Sequence, residues 1–341
     1  MDVQIAMLLA QDGVVNGAVY GLMALALVLV FSVTRVIFIP QGELVAFAAL
    51  SMAVLQAGGV PPTLWLLLAL AALALAVEAW RWQRGALVDW GATLLWTVAL
   101  PAAAGALVLL HPTSMVAQSA ATLLLVTPLG PLLYRLAYRP LADATVLMLL
   151  IVSVALHGVL VGLGLLFFGA EGSRTAAFSE ARLALGGLTL SGQSLVVMGV
   201  SFGLVGALFW FFGHTMVGKA LRATAMNRVG ARLMGIPTGL SGDLSFALAG
   251  LIGAVSGLLI APLTTMYYDT GFLIGLKGFV AAIVGGLASY PLALAGALLV
   301  GQLEAFASFW ASPFKEVLVF TLIIPVLLWR SLRSHHIEDE E

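Results

Sequence analysis

The sequence predicts an all-α protein, a polytopic bundle of about eleven membrane-crossing helices forming one domain over residues 1–341. Three observations predict it. Of 341 residues, 62% are apolar and 9% charged, against roughly a quarter charged in an ordinary soluble domain, and the mean hydropathy is +1.10. So little polar surface cannot coat a water-soluble particle of this size. The apolar residues are gathered into runs long enough to cross a bilayer as helices, about 20 residues at 1.5 Å each. Those runs are continuous, which excludes the alternating ten-residue strands of a membrane β-barrel.

In chain order the runs lie near 14–34, 41–57, 61–80, 91–110, 115–137, 145–169, 193–214, 243–262, 273–289, 291–310 and 314–330. The second is short for a span. The pair 273–289 and 291–310, interrupted at Tyr290-Pro291, reads either as two spans or as one broken, re-entrant element lining a cavity.

Lys and Arg set the orientation, because short cytoplasmic loops carry the excess positive charge. Residues 215–242 hold Lys219, Arg222, Arg228 and Arg232, with Asp243 just beyond, and are therefore expected inside. Alternation then places Arg35, Arg81 with Arg84, Arg135 with Arg139, and Arg330 with Arg333 on the same side. The acidic or balanced segments fall outside: Asp2 and Asp12, the turn at His111-Pro112, and the loop 170–192. The N-terminus is thus expected outside and the C-terminus in the cytoplasm. Because no Lys or Arg precedes Arg35, the first span reads as a retained anchor rather than a cleaved signal peptide.

Small residues recur every fourth position in three helices: Gly13, Gly17, Gly21; Gly199, Gly203, Ala207; and Ser245, Ala249, Gly253, Gly257, Ala261. Such stripes let helix backbones approach closely in lipid. Within 170–192, Arg182–Leu185 and Leu188–Ser191 read as two strands around a Gly186-Gly187 turn. The loop 215–242 is too polar to span and has helix-favouring stretches at Lys219–Asn227 and Arg228–Met234, ended by Gly235 and Pro237. Ala220, Ala223 and Ala231 give it a small-residue face suited to docking; the alternative is a solvated loop that only sets topology.

A charge at a helix centre costs about 2.5–3.5 kcal/mol on insertion scales, so each intramembrane charge needs a reason. Lys277 and Glu304 lie 13 and 14 positions from a turn at 290, at similar depth, and can pair, either to line or gate a translocation route or as a structural ion pair. Glu43, a third candidate for the route, opens the second span and equally suits a helix N-terminus. His157 reads as packing, and Asp243 as a cap at a helix start. Gly213–Lys219 mimics the spacing of a phosphate-binding loop, but Ala220 stands where Ser or Thr is required and a membrane helix precedes it. The sequence holds no nucleophile, base and metal-ligand constellation, and cysteine is absent, which excludes disulfides and Cys-based zinc sites.

Four blocks, in order, resemble a known family. They are Asn16-Gly-Ala-Val-Tyr-Gly-Leu22 through Arg35 and Gln41-Gly-Glu-Leu44; Tyr138-Arg-Pro-Leu141; Gly218-Lys-Ala-Leu-Arg-Ala223 through Asn227, Ala231 and Leu233-Met-Gly-Ile236; and Gly275 through Leu287, followed by Gly296 to Glu304. The chain resembles the LivH-like inner-membrane permeases of ABC importers for branched-chain amino acids. The resemblance implies a transport subunit rather than an enzyme. It implies that 215–242 contacts an ATP-binding subunit through Lys219, Arg222, Ala223, Asn227, Arg228, Ala231 and Gly235. It also implies partners: ATP-binding cassette subunits that use ATP and Mg, a related or identical second permease chain, and an external solute-binding protein, with no cofactor or metal on this chain. Urea or short amides are alternative solutes, and an ATP-independent secondary transporter is an alternative class. The sequence departs from the family pattern at Gln41, where a His is usual, and at 81–114, which reads as an inserted hairpin adding two spans.

Overall fold

The computed structural model describes residues 3–185, 188–287 and 289–333. Its helices are α1 (Val3–Thr34), α2 (Gln41–Gln56), α3 (Thr63–Gln83), α4 (Trp90–Leu94), α5 (Leu100–Leu109), α6 (Met115–Val126), α7 (Leu129–Leu133) and α8 (Val146–Phe168). A two-stranded hairpin, β1 (Arg182–Leu185) and β2 (Leu188–Ser191), precedes α9 (Gly192–His214), α10 (Met216–Met226), α11 (Arg228–Leu233) and α12 (Thr238–Ile260). The chain then forms α13 (Thr270–Val284), α14 (Tyr290–Trp310), α15 (Lys315–Thr321) and α16 (Ile323–Arg333).

Every predicted run is helical, but among the described residues eight helical stretches are long and apolar enough to cross a membrane. α2 and α13, at 16 and 15 residues, reach only about 24 and 22 Å against a hydrocarbon core of about 30 Å. The last run is divided between α15 and α16 at Leu322. The helices at 90–109 and 115–141 are continuous but each contains a π turn, Leu95–Ala99 and Tyr134–Tyr138.

α1 forms the axis of the bundle, with Leu22, Met23, Ala24, Ala26, Val28 and Val30 shut off from the surface. Glycine makes this packing possible at two crossings. A side chain at Gly301 of α14 would strike the α1 backbone at Gly13 and Gly17, and one at Gly271 of α13 would strike the carbonyl of Gly42 on α2. The stripe on α12 meets α2, with Gly253 against Leu44 and Gly257 against Val45 and Ala48. The stripe on α9 meets nothing: Gly199 and Gly203 face open space, and α9, like α8, lies at the periphery.

β1 and β2 pair antiparallel, with Arg182 opposite Ser191 and Leu185 opposite Leu188; the Gly186-Gly187 turn lies outside the described residues. The segment leading into the hairpin is bound to the end of α12. Arg174 donates to the carbonyls of Pro262 and Leu263, and Ser173 pairs with Met266.

These crossings predict that Gly271→Val overpacks the α2–α13 contact and costs about 1–3 kcal/mol, whereas Gly199→Val is neutral. Thermal midpoints of the two purified variants in one detergent measure the difference.

Candidate functional site

The polar segment after α9 folds into an elbow, because each of its turns has its own cap. Thr215 Oγ1 accepts the Gly218 N–H at 2.9 Å and starts α10. Asn227 ends that helix and starts the next, its Oδ1 accepting the Gly230 N–H at 2.8 Å. Gly235, at φ +79°, then reverses the chain, with the Ile236 N–H bonded to the Ala231 carbonyl.

One side of the elbow faces the bundle. Leu221 packs with Leu29 and Val33 of α1, Thr224 bonds Ser241 at 3.2 Å, and Arg228 donates to the Ala142 carbonyl at 3.1 Å. The other side carries Met226, Val229, Leu233 and Met234, each 70% or more exposed, interspersed with exposed Lys219, Asn227, Arg232 and Gly235; Arg222, also exposed, lies instead beside Tyr290 against the bundle. The expected small-residue face therefore does not face outward as a unit. Ala231 is buried and Ala223 half-buried, while four larger apolar residues form the outer row. The signal for them was present: Met226, Val229 and Leu233 recur at helical spacing across the two short helices, between basic residues.

Behind the elbow lies a buried ionic network. Arg135, in the π turn, grips Asp243 with two bonds, Nε to Oδ1 at 3.1 Å and Nη2 to Oδ2 at 2.6 Å, and donates from Nη1 to Thr93 at 2.9 Å. Arg139 and Arg81 share Glu78, at 2.7 and 3.2 Å. Asp243 is thus not the helix cap that Ser241 and Asp243 suggested: α12 starts at Thr238, and its second turn presents the carboxylate to Arg135. Glu78 and Thr93 belong to α3 and α4, so the expected insertion at 81–114 supplies one ligand of the network through Thr93. A cavity of about 410 Å³ opens onto this network, lined by Asp89, Thr93, Arg135, Arg139, Leu240 and Asp243.

Two further charge clusters lie deeper. Lys277 pairs with Glu304 at 2.5 Å and with Glu316 of α15 at 3.1 Å, and Tyr20 donates to Glu304 at 2.6 Å. Glu43 pairs instead with His157, Oε1 to Nδ1 at 2.8 Å, and His157 stacks on Phe272 at 4.4 Å between ring centroids. Glu43 Oε2 is buried and has no hydrogen-bond partner among the described residues. Of the three route candidates, the structure joins Lys277 with Glu304 and sets Glu43 with another partner. Tyr20 and His157 complete these clusters from helices remote in sequence, and Glu316 from the helix that follows α14.

Residues 9–327 match the family described as branched-chain amino acid transport system, permease component. The high-affinity branched-chain amino acid transport system permease protein BraD of Pseudomonas aeruginosa is 30% identical over 233 residues, 64% of this chain and 74% of BraD. The corresponding protein LivH of Escherichia coli K12 is 30% identical over 201 residues, 57% of this chain and 65% of LivH. Among solved structures, PsaBC from Streptococcus pneumoniae in complex with Fab covers 94% of this chain and is covered over 89% of its own, at 13% identity and a TM-score of 0.37, too distant a likeness to argue from.

Breaking a buried pair leaves an uncompensated charge, at a cost of about 3–5 kcal/mol, whereas replacing both partners by apolar groups is far cheaper. Arg135→Met and Asp243→Leu alone should each depress the thermal midpoint strongly, and the double variant should recover most of the loss.

Proposed function

The chain belongs to the family of branched-chain amino acid transport permease components, and from that premise we propose that it is the membrane-spanning subunit of an ATP-driven importer. Its solutes are branched-chain or similar small amino acids, handed over by an external binding protein. A related or identical second permease chain completes the path, in a cell membrane with the elbow side in the cytoplasm. ATP and Mg²⁺ are used by ATP-binding cassette subunits, not by this chain.

The observation that carries this reading is the outer face of the elbow. Met226, Val229, Leu233 and Met234 form an exposed apolar row flanked by Lys219, Asn227 and Arg232. Such a row is costly in water and too short and charged to span a bilayer, so it suits a groove on another protein. The elbow is also fixed to the bundle through Leu221, Thr224 and Arg228. A push from a docked subunit therefore reaches α1, α12 and the loop at Ala142 rather than bending a free loop. In this arrangement Lys219, Asn227 and Gly235 belong to the contact itself, and Arg228, Ala223 and Ala231 hold its shape from behind.

In this reading Glu43, one of whose oxygens has no hydrogen-bond partner among the described residues, lies on the solute route with the partly exposed His157 beside it. Lys277 and Glu304 form a clamp among α1, α13, α14 and α15 that gates the same route by opening and closing. Lys277→Met and Glu304→Gln should then reduce uptake while assembly with the ATPase persists.

Leu233→Glu puts a charge into the docking row. Losing one well-buried interface anchor costs about 2 kcal/mol, so co-purification of the ATP-binding subunit should fall at least tenfold and ATP-driven uptake with it, while membrane insertion is unchanged. Undiminished co-purification and uptake would remove the docking assignment.

A further inference from the structure

A second feature at the elbow has no part in that docking. An apolar cleft of about 400 Å³ runs between α1, α9, α12 and α14, walled by Leu25, Leu29, Leu208, Phe212, Ile252 and Leu294. At the elbow end its mouth is formed by Arg222 of α10 and by Tyr290, whose ring stacks on Phe212 at 5.7 Å. On α9 the wall extends from Val205 to Gly213, about 12 Å of helix rise, and on α12 it reaches Ile252, near the middle of that helix. The cleft therefore runs from one membrane surface to about mid-depth, close to one leaflet of a core about 30 Å thick.

An open apolar cleft at this depth does not stay empty. Water finds no set of polar partners there, and a void forfeits the dispersion contacts of its walls. The neighbouring fluid is hydrocarbon, and α9, which closes one side, is exposed along much of its length, with Phe209 79% accessible. The mouth selects the head that belongs to this chain. Arg222 forms no ion pair among the described residues, no acidic residue occurs between His214 and Gly242, and Lys219 lies one turn away on the same helix. A guanidinium at a membrane surface is matched by phosphate oxygens, which its planar fork engages with two bonds.

We propose that this cleft binds one acyl chain of an anionic phospholipid, with the lipid phosphate held by Arg222. The lipid fastens α10 to α9 and α14 and so forms part of the elbow's mounting, whichever face of the membrane the elbow meets.

Native mass spectrometry of the full purified chain, given equal amounts of dioleoyl phosphatidylglycerol and dioleoyl phosphatidylcholine, tests this. The wild type should retain one phosphatidylglycerol in preference to phosphatidylcholine, and inorganic phosphate should not displace it. Arg222→Gln should lower that preference about fivefold, the effect of one basic side chain at an anionic surface. Leu208→Trp, which fills the cleft and leaves Arg222 in place, should abolish retention of both lipids. Equal retention of the two lipids by the wild type, displacement by inorganic phosphate, a second copy of the chain in place of lipid, or phosphatidylglycerol retention unchanged in either variant would overturn the proposal.

Discussion

Hydrocarbon cannot hydrate a charge, and the whole arrangement of this bundle answers that constraint. Among the described residues the buried ion pairs join different helices, Arg135 to Asp243, Lys277 to Glu304 and Glu316, and Arg139 to Glu78, while Glu43 is hydrogen-bonded to His157. A buried pair of this kind adds little net stability, because desolvation consumes most of the Coulomb gain. It is costly to break, however, and so it fixes which helices lie side by side. Close glycine crossings then bring the backbones near enough for dispersion to hold them, as lipid supplies no hydrophobic drive between helices.

The pair nearest the elbow has the widest consequence. Asp243 sits in the second turn of α12, directly after the elbow, and Arg135 sits in a π turn, a local widening of the helix that often marks a functional position. The pair thus ties the elbow's exit to the helix bearing Tyr134 and Tyr138, and Thr93 of α4 accepts a third hydrogen bond from the guanidinium. Thr93 thus gives the segment 81–114 a structural role: without it, one nitrogen of the buried Arg135 loses its partner.

Much of this was legible in the sequence. Continuous apolar runs gave the helices, Gly235 and Pro237 gave the end of the elbow, and the spacing of Lys277 and Glu304 from a common turn gave their pairing, whereas Asn227's role as the cap between the two short helices came only from the structure. Two of the three small-residue stripes pack against other helices; the third, on α9, faces outward, because spacing reveals a stripe but not its neighbour. The partners that were not legible are remote in sequence. His157 reaches Glu43 across 114 residues and Arg135 reaches Asp243 across 108, and no local pattern encodes such contacts. The span count was blurred for a related reason: α2 and α13 are mostly apolar but short, and only tertiary packing shows how much of each is buried inside the bundle. Ala231 was read as outward because small residues suit docking, yet its smallness instead lets the elbow lie close to the bundle.

The central claim is that the elbow's apolar outer row is gripped by a nucleotide-hydrolysing subunit. A photo-crosslinking amino acid placed at Val229 in the assembled, membrane-embedded protein tests it most directly. The account predicts an adduct with an ATP-binding subunit from position 229 and none from position 199 on the outer face of α9. Absence of that adduct at Val229, or labelling of the same position by a membrane-impermeant reagent added outside the cell, would contradict it.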